Sequence, residues 1–132
     1  MEQHTCKALV LHCIDFRFRK SLAEFLEGKF GDSYDLVSVA GGVKSLVSAI
    51  EDNNFILEQI RISNKLHKPE VFILIQHEDC GAYGGSVAFG DFSTEQEAQN
   101  QELEKAEAFL QKEFSQPVEK YLAKLSGETI AL

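Results

Sequence analysis

The sequence has few cysteines, few basic residues and no long apolar segment. Its three cysteines exclude a complete disulfide framework and fit a reducing intracellular setting. Lys and Arg number 13 against 21 Asp and Glu, and the net charge of -8 argues against a nucleic-acid partner. No apolar stretch approaches the roughly 20 residues that span a bilayer, and the first residues lack a signal-peptide pattern. We therefore expect a cytoplasmic protein that binds neither nucleic acid nor membrane.

The pattern of apolar residues predicts alternating strands and helices in one domain covering residues 1–132. Strands are expected at 7–13, 34–39, 71–76 and 118–125, with a short last strand at 129–132. Helices are expected at 19–27, 45–67 and 94–115, the first ended by Gly28 and Gly31, the second interrupted at 52–54. The predicted fold is α/β, with a mostly parallel four-stranded sheet, a short antiparallel edge strand and helices on both faces.

Soft metal ligands stand where two of the predicted strands end. Cys13 ends the first strand, and His77 and Cys80 follow the third. The carboxyl ends of parallel strands meet at one edge, so these residues should lie together. Two thiolates and one imidazole are zinc ligands, and a three-ligand set leaves a fourth position open, as in catalytic zinc sites. Asp15 and Arg17 can reach the same pocket, so the sequence predicts one zinc ion with hydration chemistry.

The remaining cysteine and histidines carry no predicted role. Cys6 is interpreted as a small, buried apolar residue. His12 points to the face of its strand opposite Cys13, and His4 and His67 stand in sequence contexts that indicate no site.

The order of these motifs resembles that of the β-class carbonic anhydrases. Cys-x-Asp-x-Arg follows the first predicted strand, Ala-Gly-Gly the second and His-x-x-Cys-Gly the third, and residues 121–127 resemble the family's closing strand and turn. The resemblance implies that Cys13, His77 and Cys80 bind one zinc ion per chain, and that Asp15 and Arg17 form the family's Asp-Arg pair. It implies reversible hydration of CO2 to bicarbonate in a homodimer or higher homo-oligomer. The chain resembles a short form without the family's N-terminal helical arm.

The expected mechanism uses zinc to lower the pKa of bound water toward about 7, which yields a hydroxide that attacks CO2. Asp15 should accept a hydrogen bond from that hydroxide and orient it. Arg17 should keep Asp15 ionised and in place. In the family the aspartate can instead bind zinc when its arginine contact is lost, and Asp15 could close the site in the same way.

A substrate pocket is expected beside the zinc ligands. Three larger side chains would form its apolar wall. Three glycines would let the backbone approach the site closely, although a simple role in turns fits these glycines equally well. The pocket residues are Phe16, Val39, Gly41, Gly42, Gly81 and Tyr83. Phe16, Gln76 and Val39 replace residues that are usual in the family, and these changes alter the pocket rim rather than the ligands.

Three alternatives use the same residues differently. Residues 13–19 also fit the Cys-x5-Arg pattern of cysteine phosphatases, but that loop is bulky and the carboxylate of Asp15 would repel phosphate. A second alternative is a zinc-binding, non-catalytic or regulatory relative. A third keeps the zinc chemistry and hydrolyses carbonyl sulfide or carbon disulfide.

Overall fold

A five-stranded sheet forms the centre of the computed structural model, which describes residues 4–48 and 54–132. The strand order is β2-β1-β3-β4-β5, with the first four strands parallel and β5 antiparallel to β4. The predicted α/β class, parallel sheet and antiparallel edge strand are confirmed. The strands are β1 (Ala8–His12), β2 (Tyr34–Ser38), β3 (Val71–His77), β4 (Val118–Ala123) and β5 (Thr129–Ala131).

Helices cover both faces of the sheet, as predicted. Side chains alternate along a strand, so Leu9 and Leu11 of β1 face one helical layer while Ala8 and Val10 face the other. The first layer contains α2, α3 and α4, and the second contains α1. The helices are α1 (Arg19–Phe30), α2 (Lys44–Ser48), α3 (Phe55–His67) and α4 (Phe92–Gln111). No helix among the described residues is long and apolar enough to cross a membrane.

Burial explains why β1 and β3 occupy the middle of the sheet. All five residues of β1 and six of the seven residues of β3 are buried. Such strands have apolar residues on both faces, and they need a strand on each side and helices above and below. The ends of β1 and β3 are therefore covered on several sides, which makes them rigid supports for a site.

Several helix boundaries differ from the prediction, and the acidic helix α4 ends at Gln111 rather than at 115. Gly28 lies inside α1 and does not end it, because Phe30 packs against the core and extends the helix. The helix ends at Gly31, whose φ of +64° suits glycine. The long acidic helix begins earlier than expected, since Asp91 accepts a hydrogen bond from Thr94 N at 2.7 Å and caps α4.

The predicted interruption of the second helix is described only in part. Ile50, Asp52 and Asn53 lie outside the described residues. Asn54 caps α3, because its side-chain oxygen accepts from Leu57 N at 3.0 Å while its amide donates to Leu46 O at 2.8 Å. This buried side chain thus links the start of α3 to α2.

Candidate metal centre

The carboxyl ends of β1 and β3 bring three candidate ligands together. Cys13 directly follows β1, His77 is the last residue of β3, and Cys80 lies three residues further along the chain. All three are buried. The two sulfur atoms and a ring nitrogen of His77 lie within 4.8 Å of one another. Zinc bonds of 2.0–2.3 Å place tetrahedral ligands about 3.3–3.8 Å apart, so small side-chain movements would let these atoms hold one ion.

The hydrogen bonding of His77 favours metal binding at its other nitrogen. Its Nδ1 lies 2.7 Å from the carbonyl oxygen of Glu78, which assigns the proton to Nδ1. Its Nε2 is buried and has no hydrogen-bond partner among residues 4–48 and 54–132. Burial lowers the pKa of His77, which favours the neutral ring that metals require. A bound metal would satisfy this unpartnered nitrogen, so the residues present fit a zinc ion.

The surroundings of Cys80 disfavour its thiolate form when no cation is bound. Burial raises the pKa of Cys80, and the neighbouring Cys13 adds to the rise. A divalent ion would reverse this effect by stabilising thiolates. The N–H of Gly41 points at Cys13 Sγ from 3.4 Å. Gly41 has a φ of +79°, and a Cβ there would lie 3.0 Å from Ala82 Cβ, so this approach favours glycine.

Asp15 and Arg17 form a two-point ion pair beside the candidate ligands. Arg17 Nε donates to Asp15 Oδ1 at 3.1 Å, and Nη2 donates to Oδ2 at 2.7 Å. These bonds to Arg17 lower the pKa of Asp15 to about 2. Asp15 Oδ2 lies 3.9 Å from His77 Nε2. The carboxylate is therefore anionic, held by arginine and adjacent to the place where a metal would bind.

Arg17 also contacts a second carboxylate that the sequence analysis did not single out. Its Nη1 donates to Asp79 Oδ2 and its Nη2 to the backbone oxygen of Asp79, both at 3.0 Å. Asp79 has a φ of +60°, an uncommon conformation for this residue. Because Arg17 is bonded on two sides, its guanidinium has little freedom to rotate away from Asp15.

Glu95 supports Asp79 from inside the protein. The side chain is only 1% exposed and belongs to the first turn of α4. One oxygen accepts from Asp79 N at 2.7 Å and the other from Ser86 Oγ at 2.9 Å. Ser86 N in turn donates to Asp79 Oδ1 at 2.8 Å. A continuous set of hydrogen bonds thus runs from α4 through Asp79 and Arg17 to Asp15.

The predicted pocket residues occupy different environments. A shallow cavity of about 490 Å³ is lined by Phe16 together with Cys13, Ile14, Asp15 and Arg17. Phe16 is 79% exposed and forms an open rim.

The other predicted pocket residues lie outside that lining. Val39 packs against the core of the first helical layer. Tyr83 donates to Glu102 Oε1 at 3.0 Å. A Cβ at Gly42 would lie 2.2 Å from Gln76 Oε1, and Gly81 begins a short 3-10 turn. Contact of these residues with substrate stays a prediction.

Gln76 shapes the turn that faces Cys13. This buried side chain accepts a hydrogen bond from Val43 N at 3.0 Å and donates to Gly41 O at 3.2 Å and Gln99 Oε1 at 3.0 Å. It therefore fixes the Gly41–Gly42 backbone against β3. A smaller residue at this position would leave the buried N–H of Val43 without this acceptor.

Comparison with known proteins identifies the family of this chain. A family model described as "Putative carbonic anhydrase" matches residues 3–122. The chain belongs to this carbonic anhydrase family. A relative from Rickettsia bellii (strain RML369-C), named only "Uncharacterized protein", is 31% identical over 115 residues, which are 82% of this chain and 70% of the relative.

Solved structures share the fold at low sequence identity. The carbonic anhydrase from Glaciozyma antarctica has a TM-score of 0.64 at 15% identity, covering 99% of this chain and 84% of that protein. The apo form of a carbon disulfide hydrolase has a TM-score of 0.56 at 16% identity, covering 94% of this chain and 76% of that enzyme. At such identities these likenesses establish the fold alone.

Replacement of Glu95 by glutamine tests the internal support of Asp79. Glutamine keeps the shape but turns one acceptor into a donor, which then faces a donor from Asp79 or Ser86. We expect Glu95→Gln to lower the free energy of unfolding by about 1–3 kcal/mol in urea denaturation. Glu97→Gln, at an exposed position of the same helix, should change it by less than about 0.5 kcal/mol. Equal effects of the two variants would contradict the support role.

The ionisation of Asp15 can be followed by ¹³C NMR of its carboxyl group. A depressed folded-state pKa means that protonation, and with it loss of the ion pair, occurs only as pH falls through about 2. We expect Asp15 to remain mostly ionised at about pH 3. In Arg17→Ala the midpoint should rise toward 3.8, the ordinary value. The same midpoint in both proteins would show that Arg17 does not hold the carboxylate ionised.

Proposed function

We propose that this protein catalyses the reversible hydration of carbon dioxide to bicarbonate with one zinc ion held by Cys13, His77 and Cys80. The observation that carries the proposal is the cluster of two thiols and a ring nitrogen of His77 within 4.8 Å of one another, beside an Asp-Arg ion pair. The Nε2 atom of His77 is buried and has no hydrogen-bond partner in the described part of the chain. Membership of a carbonic anhydrase family supports it. The chain would form a single domain. It would act in the cytoplasm, because the three free cysteines remain reduced in that compartment.

The bound metal would supply a nucleophile near neutral pH by lowering the pKa of water. Asp15 would accept a hydrogen bond from the attacking oxygen and so aim its lone pair at the carbon atom of CO2. The shallow cavity beside Asp15, with the apolar side chains of Ile14 and Phe16, offers space for a small uncharged substrate.

Arg17 and Asp79 would act by holding Asp15 in its productive position. The two-point contact from Arg17 keeps the carboxylate anionic and therefore an acceptor only. Asp15 Oδ2 lies 3.9 Å from His77 Nε2. Without the contact to Arg17, the carboxylate could rotate toward this nitrogen and compete with water for the position that the three protein ligands would leave open. In the structure the carboxylate of Asp15 is hydrogen-bonded to Arg17. In this arrangement it would orient a nucleophile.

Carbon disulfide or carbonyl sulfide hydrolysis is the second candidate function. The likeness to a carbon disulfide hydrolase over 94% of this chain favours keeping it. The same ligands and the same Asp-Arg pair would act on a sulfur-containing substrate of similar shape. A non-catalytic zinc-binding relative is the remaining alternative, and assays with each substrate separate the three.

Substitution of Asp15 tests the catalytic proposal. We expect Asp15→Asn to keep its zinc content and lose about 100-fold or more in the rate of CO2 hydration, because an amide cannot replace an acceptor-only group. Stopped-flow measurements between about pH 7 and 9 give the rate, and metal analysis gives the zinc content. Asp32→Asn, at an exposed turn, is the matched control and should behave as wild type. A wild-type protein no faster than buffer with CO2 would reject the carbonic anhydrase activity, and inactivity with carbon disulfide and carbonyl sulfide as well would leave the non-catalytic relative.

We also propose that the chain forms a homodimer through an apolar surface next to the candidate site. Ile14, Phe16 and Leu36 are 59%, 79% and 49% exposed, and Leu36 lies on the edge strand β2. An exposed strand edge flanked by apolar side chains favours pairing with another strand. A second copy would cover these side chains and enclose the cavity beside Asp15.

Phe16→Ser tests this surface. Burial of a phenylalanine contributes about 1.5–3 kcal/mol, so its loss should weaken self-association by tenfold or more. Sedimentation velocity at several concentrations measures the effect. Phe55→Ser, which removes a phenylalanine that is 72% exposed at the start of α3, serves as control and should leave association unchanged. Unchanged association in Phe16→Ser would place the interface elsewhere.

A further inference from the structure

A second group of metal-ligating side chains lies at the opposite end of the sheet. Cys6 precedes β1, Asp35 is the second residue of β2, and His67 ends α3. Cys13 and His77 mark the carboxyl ends of the parallel strands, whereas these three residues lie at the amino ends. Three separate parts of the chain therefore meet at a place that the proposed active site does not use.

The ligand atoms of this second group also lie close together. Cys6 Sγ, a carboxylate oxygen of Asp35 and a ring nitrogen of His67 all lie within 4.8 Å of one another. His67 Nδ1 and Asp35 Oδ2 are 2.7 Å apart, and Ser63 Oγ donates to the same oxygen at 2.7 Å. The side chains of His67 and Asp35 are 28% and 31% exposed and can separate by the roughly 0.6 Å that a shared ion needs.

Backbone hydrogen bonds hold together the three segments that carry these residues. Cys6 N donates to His67 O at 2.9 Å, which ties the segment before β1 to the end of α3. Lys7 N donates to Ser33 O, also at 2.9 Å, which ties the same segment to the residues before β2. The main chain of Cys6 is thus fixed beside the Asp-His pair, and its Sγ donates to the backbone oxygen of Ala8 at 3.3 Å.

The donor types select zinc or a similar divalent transition metal. A thiolate, an imidazole and a carboxylate are the three side-chain ligands of protein zinc, while calcium and magnesium prefer oxygen alone. Three protein ligands leave a fourth position that solvent can fill. The ring of His4 lies beside that of His67, with 4.8 Å between the two ring centroids.

We propose that Cys6, Asp35 and His67 bind a second divalent transition metal, zinc by preference. The ion would cross-link the segment before β1 to β2 and α3. On binding, the Cys6 thiol would release its proton to solvent as the sulfur–metal bond forms. Nothing in the sequence spacing of Cys6, Asp35 and His67 indicates that they meet.

Zinc counting in a set of variants tests the proposal independently of the first site. After gel filtration, wild type and Ser63→Ala should contain about two zinc ions per chain, since Ser63 contacts Asp35 without being a ligand. Cys6→Ser and His77→Ala should each contain about one, and the double variant none. One zinc ion in wild type and still one in Cys6→Ser would overturn the second site. No zinc in Cys6→Ser with one in His77→Ala would support the second site and reject the first.

Alkylation of wild-type protein gives a test that needs no variant. Iodoacetamide labelling of Cys6, followed by peptide mass spectrometry, should slow by about tenfold or more when zinc is added to metal-free protein, because a metal-bound thiolate is shielded. Cys13 and Cys80 are read in the same spectrum and report the first site separately. An unchanged labelling rate at Cys6 would overturn the proposal even if the other two cysteines were protected.

Discussion

The parallel pairing of β1 with β3 is the constraint on which the rest of the structure depends. Leu11 pairs with Leu74 and His12 with Ile75, so the carboxyl ends of the two strands lie at one edge and bring Cys13 and His77 near each other, with β3 two residues longer there. Both strands are buried on both faces, and a slip of register would move apolar side chains out of the core. The stability of the core therefore also fixes the positions of the candidate ligands, although none of its aliphatic residues takes part in the chemistry.

Around that edge, hydrogen bonds rather than apolar packing set the orientation of the charged groups. Glu95 holds Asp79, Asp79 holds Arg17, and Arg17 holds Asp15. This chain starts at the buried Glu95 and gives the outermost carboxylate a defined position without a large local core. The site is thus open to solvent on the side of Phe16 and rigid on the side of α4.

The sequence was sufficient to predict the fold and the grouping of the candidate ligands, because both leave local patterns. Buried strands appear as aliphatic runs, and Cys13, His77 and Cys80 stand directly at their ends. Asp79 and Glu95 left no such pattern: an acid beside Cys80 and an acid in an acidic helix resemble solvated residues until the chain is folded. The same holds for the second cluster, whose members are 29 and 32 residues apart along the chain. Helix ends such as Gly28 were misplaced because tertiary packing of Phe30 outweighs local propensity.

Anomalous diffraction at the zinc absorption edge tests the central claim most directly. A crystal of zinc-loaded protein should show an anomalous peak bonded to Cys13 Sγ, Cys80 Sγ and His77 Nε2, with the sulfurs at about 2.3 Å, the nitrogen at about 2.0–2.1 Å and a fourth position free of protein ligands. Absence of a peak at this position would contradict the account. A fourth protein ligand on the metal, in a crystal in which Asp15 still contacts Arg17, would also contradict it.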